Sequence, residues 1–388
     1  MSARPALPLA GVRVLDLSRL MAGNMLTLQL ADFGAEVIKV ESAQGDTLRD
    51  WKNAGKAIWW KVYGRNKKSI CLNLKLDQDK KKLLALVPEA QVLVESFRTG
   101  AMEKFGLGPD VLHAINPKLV IVRISGWGLT GPYADKAGFG TLVEAFSGFA
   151  EKNGFSDKPP ALPNLGLADM IAGLSGSFAT MVALREVEVN GGNGQVVDLS
   201  LLEPIISILG PDAAIYQHTG EIPKRLGNRA ENAAPRNAYL CADGKWMVMS
   251  GSTQRMAERI LCAVGREELV HDDRFATNTA RLANIDALDL IIGNFVEQRS
   301  LAENLAHFDA HQVTVGPVLS VDSLINDQHI RQRQVFVDVP DVELGSVLMH
   351  NVSPRLSATP GSIRSSSPSL GEHQSILDTL PKKPQETT

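Results

Sequence analysis

The sequence predicts an α/β protein carrying a second, smaller α+β domain, and three observations support this. Residues 12–17 and 36–41 are short aliphatic, β-branched runs on either side of an amphipathic stretch ending at Asp32. That is a βαβ pattern, whose two strands should be parallel neighbours. Past residue 235 the text changes to a hairpin followed by helices, and 388 residues exceed the usual single core.

Taken in order, the first strand leads into a turn where Gly23 stands alone, without the glycine fingerprint of a dinucleotide site. Residues 66–75 place a strand between Lys67, Lys68 and Lys75, cations that could meet a phosphate, and 78–86 read as a helix whose Lys80, Lys81 and Lys82 form a solvated face. A strand at 90–97 ends in the loop 98–106. In an open parallel sheet, ligands bind beyond such carboxyl ends. The strand at 119–125 runs into Gly126-Trp127-Gly128-Leu129-Thr130-Gly131-Pro132. These glycines satisfy G-x-G-x-x-G, yet Pro132 and the polar Tyr133-Ala134-Asp135-Lys136 stand where a phosphate-binding helix should begin, so turn glycines are favoured over a nicotinamide or flavin site.

Asp169 opens a helix in which Met170, Ile171, Leu174, Phe178, Met181, Val182 and Leu184 recur at helical spacing as a buried face. An acid in a first turn can be a plain cap that accepts unpaired N–H groups. Here Gly166, Ala168, Ala172, Gly173, Ser175 and Gly176 also leave room for a bulky group beside it, which makes Asp169 a candidate nucleophile. Beyond it come a turn at 191–194, a strand at 195–200, a polar loop at 223–237, a hairpin about the turn 242–245 and helices from 254 to 311. A short helix and two strands, punctuated by Pro340, fill 321–356.

Composition narrows the classes. A net charge of −3, 21% charged and 44% apolar residues describe a globular protein with no global pull toward nucleic acid. No run is read as a membrane span, and the start lacks the apolar core of a signal peptide. Cys71, Cys241 and Cys262 have no metal-ligand spacing and read as reduced, buried thiols of a cytoplasmic protein. The extreme end of the Ser- and Pro-rich stretch 359–388 should fray.

By this point the sequence resembles the third CoA-transferase family, which includes the formyl-CoA:oxalate, carnitine and succinyl-CoA-dependent transferases and the 2-methylacyl-CoA racemases. The resemblance rests on eight segments in the family's order, among them 9–16, 34–41, 66–70, 95–100, 116–120, 125–132, Asp169 and Leu370-Gly371-Glu372-His373. It implies a large doubly wound, Rossmann-like CoA-binding domain (1–205), a linker (206–225), a small α+β domain (226–318), and a linker with a C-terminal return to the large domain (319–388). It also implies a ring-like monomer in an interlocked homodimer. Asp169 then matches the acid that attacks the acyl-CoA thioester. Leu72, Lys75, Ser96, Phe97, Ala101, Lys104 and Phe105 fall at CoA-contacting places, and Arg19, Leu20, Met21 and Ala22 in the loop beside the thioester. Phe139, Gly140 and Glu144 border the acceptor. Met21 and Gly140 stand where the oxalate-using branch carries a glutamine and a glutamate, which implies a larger pocket with an apolar wall at Met21 and an acceptor of about four to six carbons. CoA, or acyl-CoA, is the substrate and a small carboxylic acid the partner, with no metal or permanently bound cofactor. Residues 234–237 replace the flexible glycine loop of the oxalate-using enzymes.

Two rivals remain. A racemase needs a base on each face of the substrate, but Phe139 cannot take a proton where that branch carries a histidine, and His113 reads as part of a surface turn. A non-catalytic acyl-CoA-binding protein would have no use for an acid among glycines.

Overall fold

The computed structural model describes residues 7–379, so the expected fraying of the extreme C-terminus lies outside the described residues. The chain divides into two compact units. The larger takes the described residues up to Phe149, then Leu162–Ile215 and the described residues from Arg331 onward. The smaller takes Ala150–Ala161 and Tyr216–Ile330.

Six parallel strands form the centre of the larger unit: β1 (Arg13–Asp16), β2 (Glu36–Glu41), β3 (Lys67–Cys71), β4 (Val92–Glu95), β5 (Val120–Ser125) and β6 (Val196–Ser200), in the order β3-β2-β1-β4-β5-β6. The order reverses between β1 and β4, where an open parallel sheet has its ligand crevice. Successive side chains point to opposite faces, and both faces are apolar. Val14, Val92, Val94, Val120 and Val122 pack with Leu26, Leu30, Ala172 and Leu184 on one side. Leu15, Ile38, Leu93 and Ile121 pack with Leu83, Leu86 and Leu112 on the other.

The helices that carry the candidate site are α1 (Leu20–Asp32), α2 (Gly140–Phe146) and α3 (Leu167–Val189). The packing of α3 corrects the sequence reading. Its buried side is the small one, Ala168, Ala172, Gly173, Gly176, Thr180 and Ala183, with Leu184. Leu174, Phe178, Met181 and Val182 face outward, and Phe178 is 72% exposed. The cause is close approach to α1: a Cβ on Gly173 would stand 2.7 Å from the Ala22 carbonyl oxygen, and one on Gly176 2.6 Å from Leu26. The space these small residues leave is therefore filled by α1 and not by a ligand. Among the described residues, α3 is also the one helix long and apolar enough to cross a membrane, contrary to the expectation that no run is; its small-residue side is packed into the core.

The C-terminal stretch closes the β3 edge of the sheet. Ser69 N–H donates to His373 Nδ1, and the His373 N–H to the Ser69 carbonyl. Gln374 imitates a strand, accepting from the Cys71 N–H at 2.8 Å and donating to its carbonyl at 3.0 Å. An open edge is thereby covered.

In the smaller unit, β7 (Arg236–Leu240), β8 (Trp246–Ser250) and β9 (Val315–Pro317) form an antiparallel sheet. Met247, Ile260, Leu288, Ile292 and Phe308 make its core with the covering helices. Back in the larger unit, β10 (Phe336–Asp341) pairs with β11 (Gly345–His350), and Pro340 lies inside β10 instead of ending it. Of the three thiols only Cys241 is buried; Cys71 is half-buried and Cys262 exposed, so the expectation of buried cysteines holds for one.

Candidate active site

Asp169 lies in the first turn of α3. The backbone N–H groups of Ala22, from the first turn of α1, and of Asp169 itself act on its carboxylate electrostatically. The helix N-terminus and these donors favour the anion. Burial outweighs them and, with the neighbouring Glu144 carboxylate, pushes the Asp169 carboxyl up to about 6. Glu144 is itself buried on α2 and accepts the Ala168 N–H at 3.1 Å, capping α3 one residue before the acid. Glu144 thus has the structural task that its position on a helix suggests, and it also supplies like charge to Asp169. At neutral pH the site holds a carboxylate that is less stabilised than one in water and so a better nucleophile.

A cavity of about 160 Å3 lies beyond the carboxyl ends of β1 to β4. It brings together Arg19, Leu72, Lys75, Phe97 and Phe105 from the predicted set, with Ser18, Glu41, Gly45, Asp46 and Asn73 among its other walls. Phe97 and Phe105 meet edge to face, ring centres 6.1 Å apart. The loop they share is braced by Arg123, which bridges Glu95 on β4 and Glu103, each at 2.8 Å. Ser96 Oγ accepts the Arg19 N–H at 2.9 Å, tying this loop to the β1–α1 turn. Ala101 starts a one-turn helix, Ala101–Lys104, directly after Gly100, whose φ of +80° suits glycine. Lys75 and Lys104 are exposed, and neither makes an ion pair among the described residues. The cavity is below the roughly 300–1,000 Å3 of ordinary ligand pockets, so it suits one end of a long ligand. A larger open hollow of about 690 Å3 on the smaller unit, lined by Leu305, Asp309 and Thr314 among others, contains none of the predicted site residues.

Several placements differ from expectation. Met21 is 1% exposed and packs with Leu48, Trp60 and Met170, so its side chain is a core element and not a wall of the site. Lys67 is buried, bonded to Asn24 Oδ1 at 2.8 Å with Asp16 Oδ2 at 3.4 Å; Lys68 pairs with Glu36. Neither meets a ligand as read from the sequence. Gly140 sits against Asp169, while Phe139, before it, is 62% exposed. Gly128 and Gly131 are positive-φ turn residues, and a Cβ on Gly126 would strike Gly138, so that motif is a tight loop. Ala234 N–H bonds Asn278 and its carbonyl accepts from Arg281, anchoring the start of the 234–237 segment.

Sequence reasoning missed a buried ionic group under the β1–α1 turn. Lys39 Nζ lies 3.2 Å from Asp16 and 2.9 Å from Asp46, all three with fully buried side chains. The signal was present as charged letters, Asp16 and Lys39, inside otherwise aliphatic parallel strands.

These features converge on an acyl-CoA enzyme, and the chain belongs to CoA-transferase family III, whose profile matches residues 9–374. It is a CoA-transferase, with CoA thioesters as substrates. It is 40% identical to the succinyl-CoA–D-citramalate CoA-transferase of Chloroflexus aurantiacus, over 96% of this chain and 93% of the relative. It is 36% identical to the alpha subunit of the succinyl-CoA–L-malate CoA-transferase of Chloroflexus aurantiacus, over 94% and 86%. Among solved structures, a CAIB/BAIF family protein from Brucella suis superposes with a TM-score of 0.86 at 31% identity, over 96% of this chain and 99% of that one.

Proposed function

We propose that this enzyme moves CoA from succinyl-CoA to a free dicarboxylic acid of about four to six carbons, with Asp169 as the covalent carrier. The observation that carries this reading is the buried Asp169 carboxylate at the start of α3, seated against Gly140 and raised toward neutrality by burial and Glu144, in the larger unit that also holds the cavity. The carboxylate attacks the thioester carbonyl, giving a mixed anhydride and CoA thiolate. The thiolate attacks the Asp169 carbonyl of that anhydride, releasing succinate and leaving an aspartyl-CoA thioester. The acceptor's carboxylate then displaces the thiolate to form a second anhydride. Thiolate attack on the acceptor's carbonyl releases its CoA ester and restores Asp169. Backbone N–H groups such as that of Ala22 suit the oxyanions of these steps.

Lys75 and Lys104, exposed and without ion-pair partners, suit the CoA phosphates. Leu72, Phe97 and Phe105 suit its apolar parts, with Ser96 and Ala101 shaping the loop and Arg19, Leu20 and Ala22 lying toward the thioester. Phe139, Gly140 and Glu144 border the acceptor. The choice of acceptor rests on Gly140, which stands where the oxalate-using branch carries a glutamate, and on the relatives named for citramalate and malate. The outward apolar residues of α3, Leu174, Phe178, Met181 and Val182, fit a homodimer, here read as interlocked rings of doubly wound large domains and small domains in the cytoplasm. Racemization is disfavoured because no histidine stands beside Gly140.

The test is Asp169→Ala. Transfer is abolished while CoA binding survives, and hydroxylamine inactivates the wild type only in the presence of acyl-CoA by trapping the activated carboxyl. An alanine variant with near-normal transfer overturns the mechanism.

A further inference from the structure

The donor that faces Asp169 comes from a strained turn. Leu20 has φ +61°, in the left-handed region that a branched side chain rarely adopts. Such a conformation persists only where its surroundings fix it, and here both sides of the residue are held. Its N–H donates to Asp46 Oδ1 at 3.0 Å, and its carbonyl accepts from Asn24 Nδ2 at 2.6 Å. The same Asn24 amide donates to Asp46 Oδ2 at 2.7 Å, so one carboxylate and one amide clasp Leu20 between them. Two residues on, Ala22 packs against the start of α3, where a Cβ on Gly173 would stand 2.7 Å from its carbonyl oxygen, and from there its N–H favours the Asp169 anion.

We propose that Asp46 and Asn24 are positioning residues for transfer: they hold Leu20 in its left-handed turn and so aim the Ala22 N–H at Asp169. The inference rests on the reading of Asp169 as carrier. Asp46 is suited to the task because it cannot easily shift. It also accepts the Leu48 N–H at 2.9 Å and pairs with Lys39, which is bound in turn to Asp16 and to the Ser18 carbonyl at 2.6 Å. Asn24 is held from the other side by Lys67 Nζ at 2.8 Å. Glu41, which accepts the Asp46 N–H at 2.8 Å, is fixed by Arg49 and Ser69. Three acids (Asp16, Asp46, Glu41) thus meet three cations (Lys39, Lys67, Arg49). A buried set of this kind fixes one arrangement more than it adds stability. Neither Asp46 nor Asn24 touches Asp169 through its side chain in the bonds described; their effect passes through the Leu20–Ala22 backbone.

The experiment compares Asn24→Ala, Asp46→Asn and Asp46→Ala with the wild type, in kcat, acyl-CoA KM, melting temperature and the pH dependence of kcat. Asn24 is not a wall of the CoA cavity, so Asn24→Ala should lower kcat about tenfold or more with acyl-CoA KM within about threefold. Losing an N–H donor disfavours the carboxylate, so the acid limb of its pH profile should also move upward. The groups facing that carboxyl are Glu144 and the Ala22 and Asp169 N–H groups, and Glu144 is untouched in every variant. Asp46→Asn keeps an acceptor oxygen for Leu20 and should retain more kcat than Asp46→Ala. If the variants lose only melting temperature, or only raise KM, with the acid limb unmoved in the folded protein, the positioning role is refuted. If Asp169→Ala remains active, the carrier reading itself fails, a result distinct from either.

Discussion

A Cβ placed on Gly140 would stand 2.3 Å from Asp169 Oδ2. The glycine is therefore part of how the nucleophile is seated: the Asp169 carboxylate occupies the place a side chain would need. Gly140→Ala should fold, because the first atom it meets is the end of an aspartate side chain that can turn away. That turn breaks the alignment with the Ala22 N–H. A displacement near 1 Å costs about 100-fold in rate, so kcat should fall by that order while the melting temperature stays within a few degrees. An alanine variant with unchanged kcat would show that the seat is not needed.

Burial and Glu144 raise the Asp169 carboxyl to about 6, above its unfolded value near 3.8. The folded state thus binds more protons than the unfolded between these values, and the residue costs stability as pH rises through that window. Above it the cost is of order 3 kcal/mol. Asp169→Asn should accordingly melt several degrees higher than the wild type at pH 8 while losing transfer, and the gap should vanish below about pH 4. Activity of the wild type should fall as pH drops below about 6. Equal melting temperatures at pH 8 would mean that the carboxylate is not strained by its site.

On the proposed assignment of Lys75 and Lys104 to the CoA phosphates, Lys75→Ala and Lys104→Ala each remove one charge-assisted contact worth about 1.5–3 kcal/mol. The Michaelis constant for acyl-CoA should rise about tenfold or more, and that for the acceptor should hardly change. A matching rise in both constants would refute the assignment.

For the acceptor, catalytic efficiency at fixed succinyl-CoA should climb from oxalate to acids of four or five carbons, by about 10–200-fold per methylene where the pocket is apolar. The buried position of Met21 removes one reason for this expectation; Gly140 and the outer residues next to it remain. Oxalate as the best substrate would overturn it.

The parallel sheet was legible because Val14-Leu15, Val37-Ile38 and Val120-Ile121 alternate between two buried faces in a chain with helices between its strands. Asp169 was legible as a lone acid in an apolar helix start. The side of α3 that would be buried was not. Periodicity marks large apolar residues as core, whereas close packing on α1 selects the small ones. Asp46 and Asn24 were missed because a polar letter near a turn looks like a solvated cap until the three-dimensional partners, Lys39 and Lys67, are beside it. Met21 was misplaced because its neighbours Leu48 and Trp60 lie far along the chain.

The seal on β3 carries a meaning in time. Ser69 and Cys71 leave the ribosome 304 and 303 residues before their partners His373 and Gln374. Every residue of the smaller unit is made in between. A nascent chain can therefore gather its smaller unit while the larger one still has an uncovered strand edge, and it is in that interval that the polypeptide is most open to pairing with a neighbour or to capture by a chaperone.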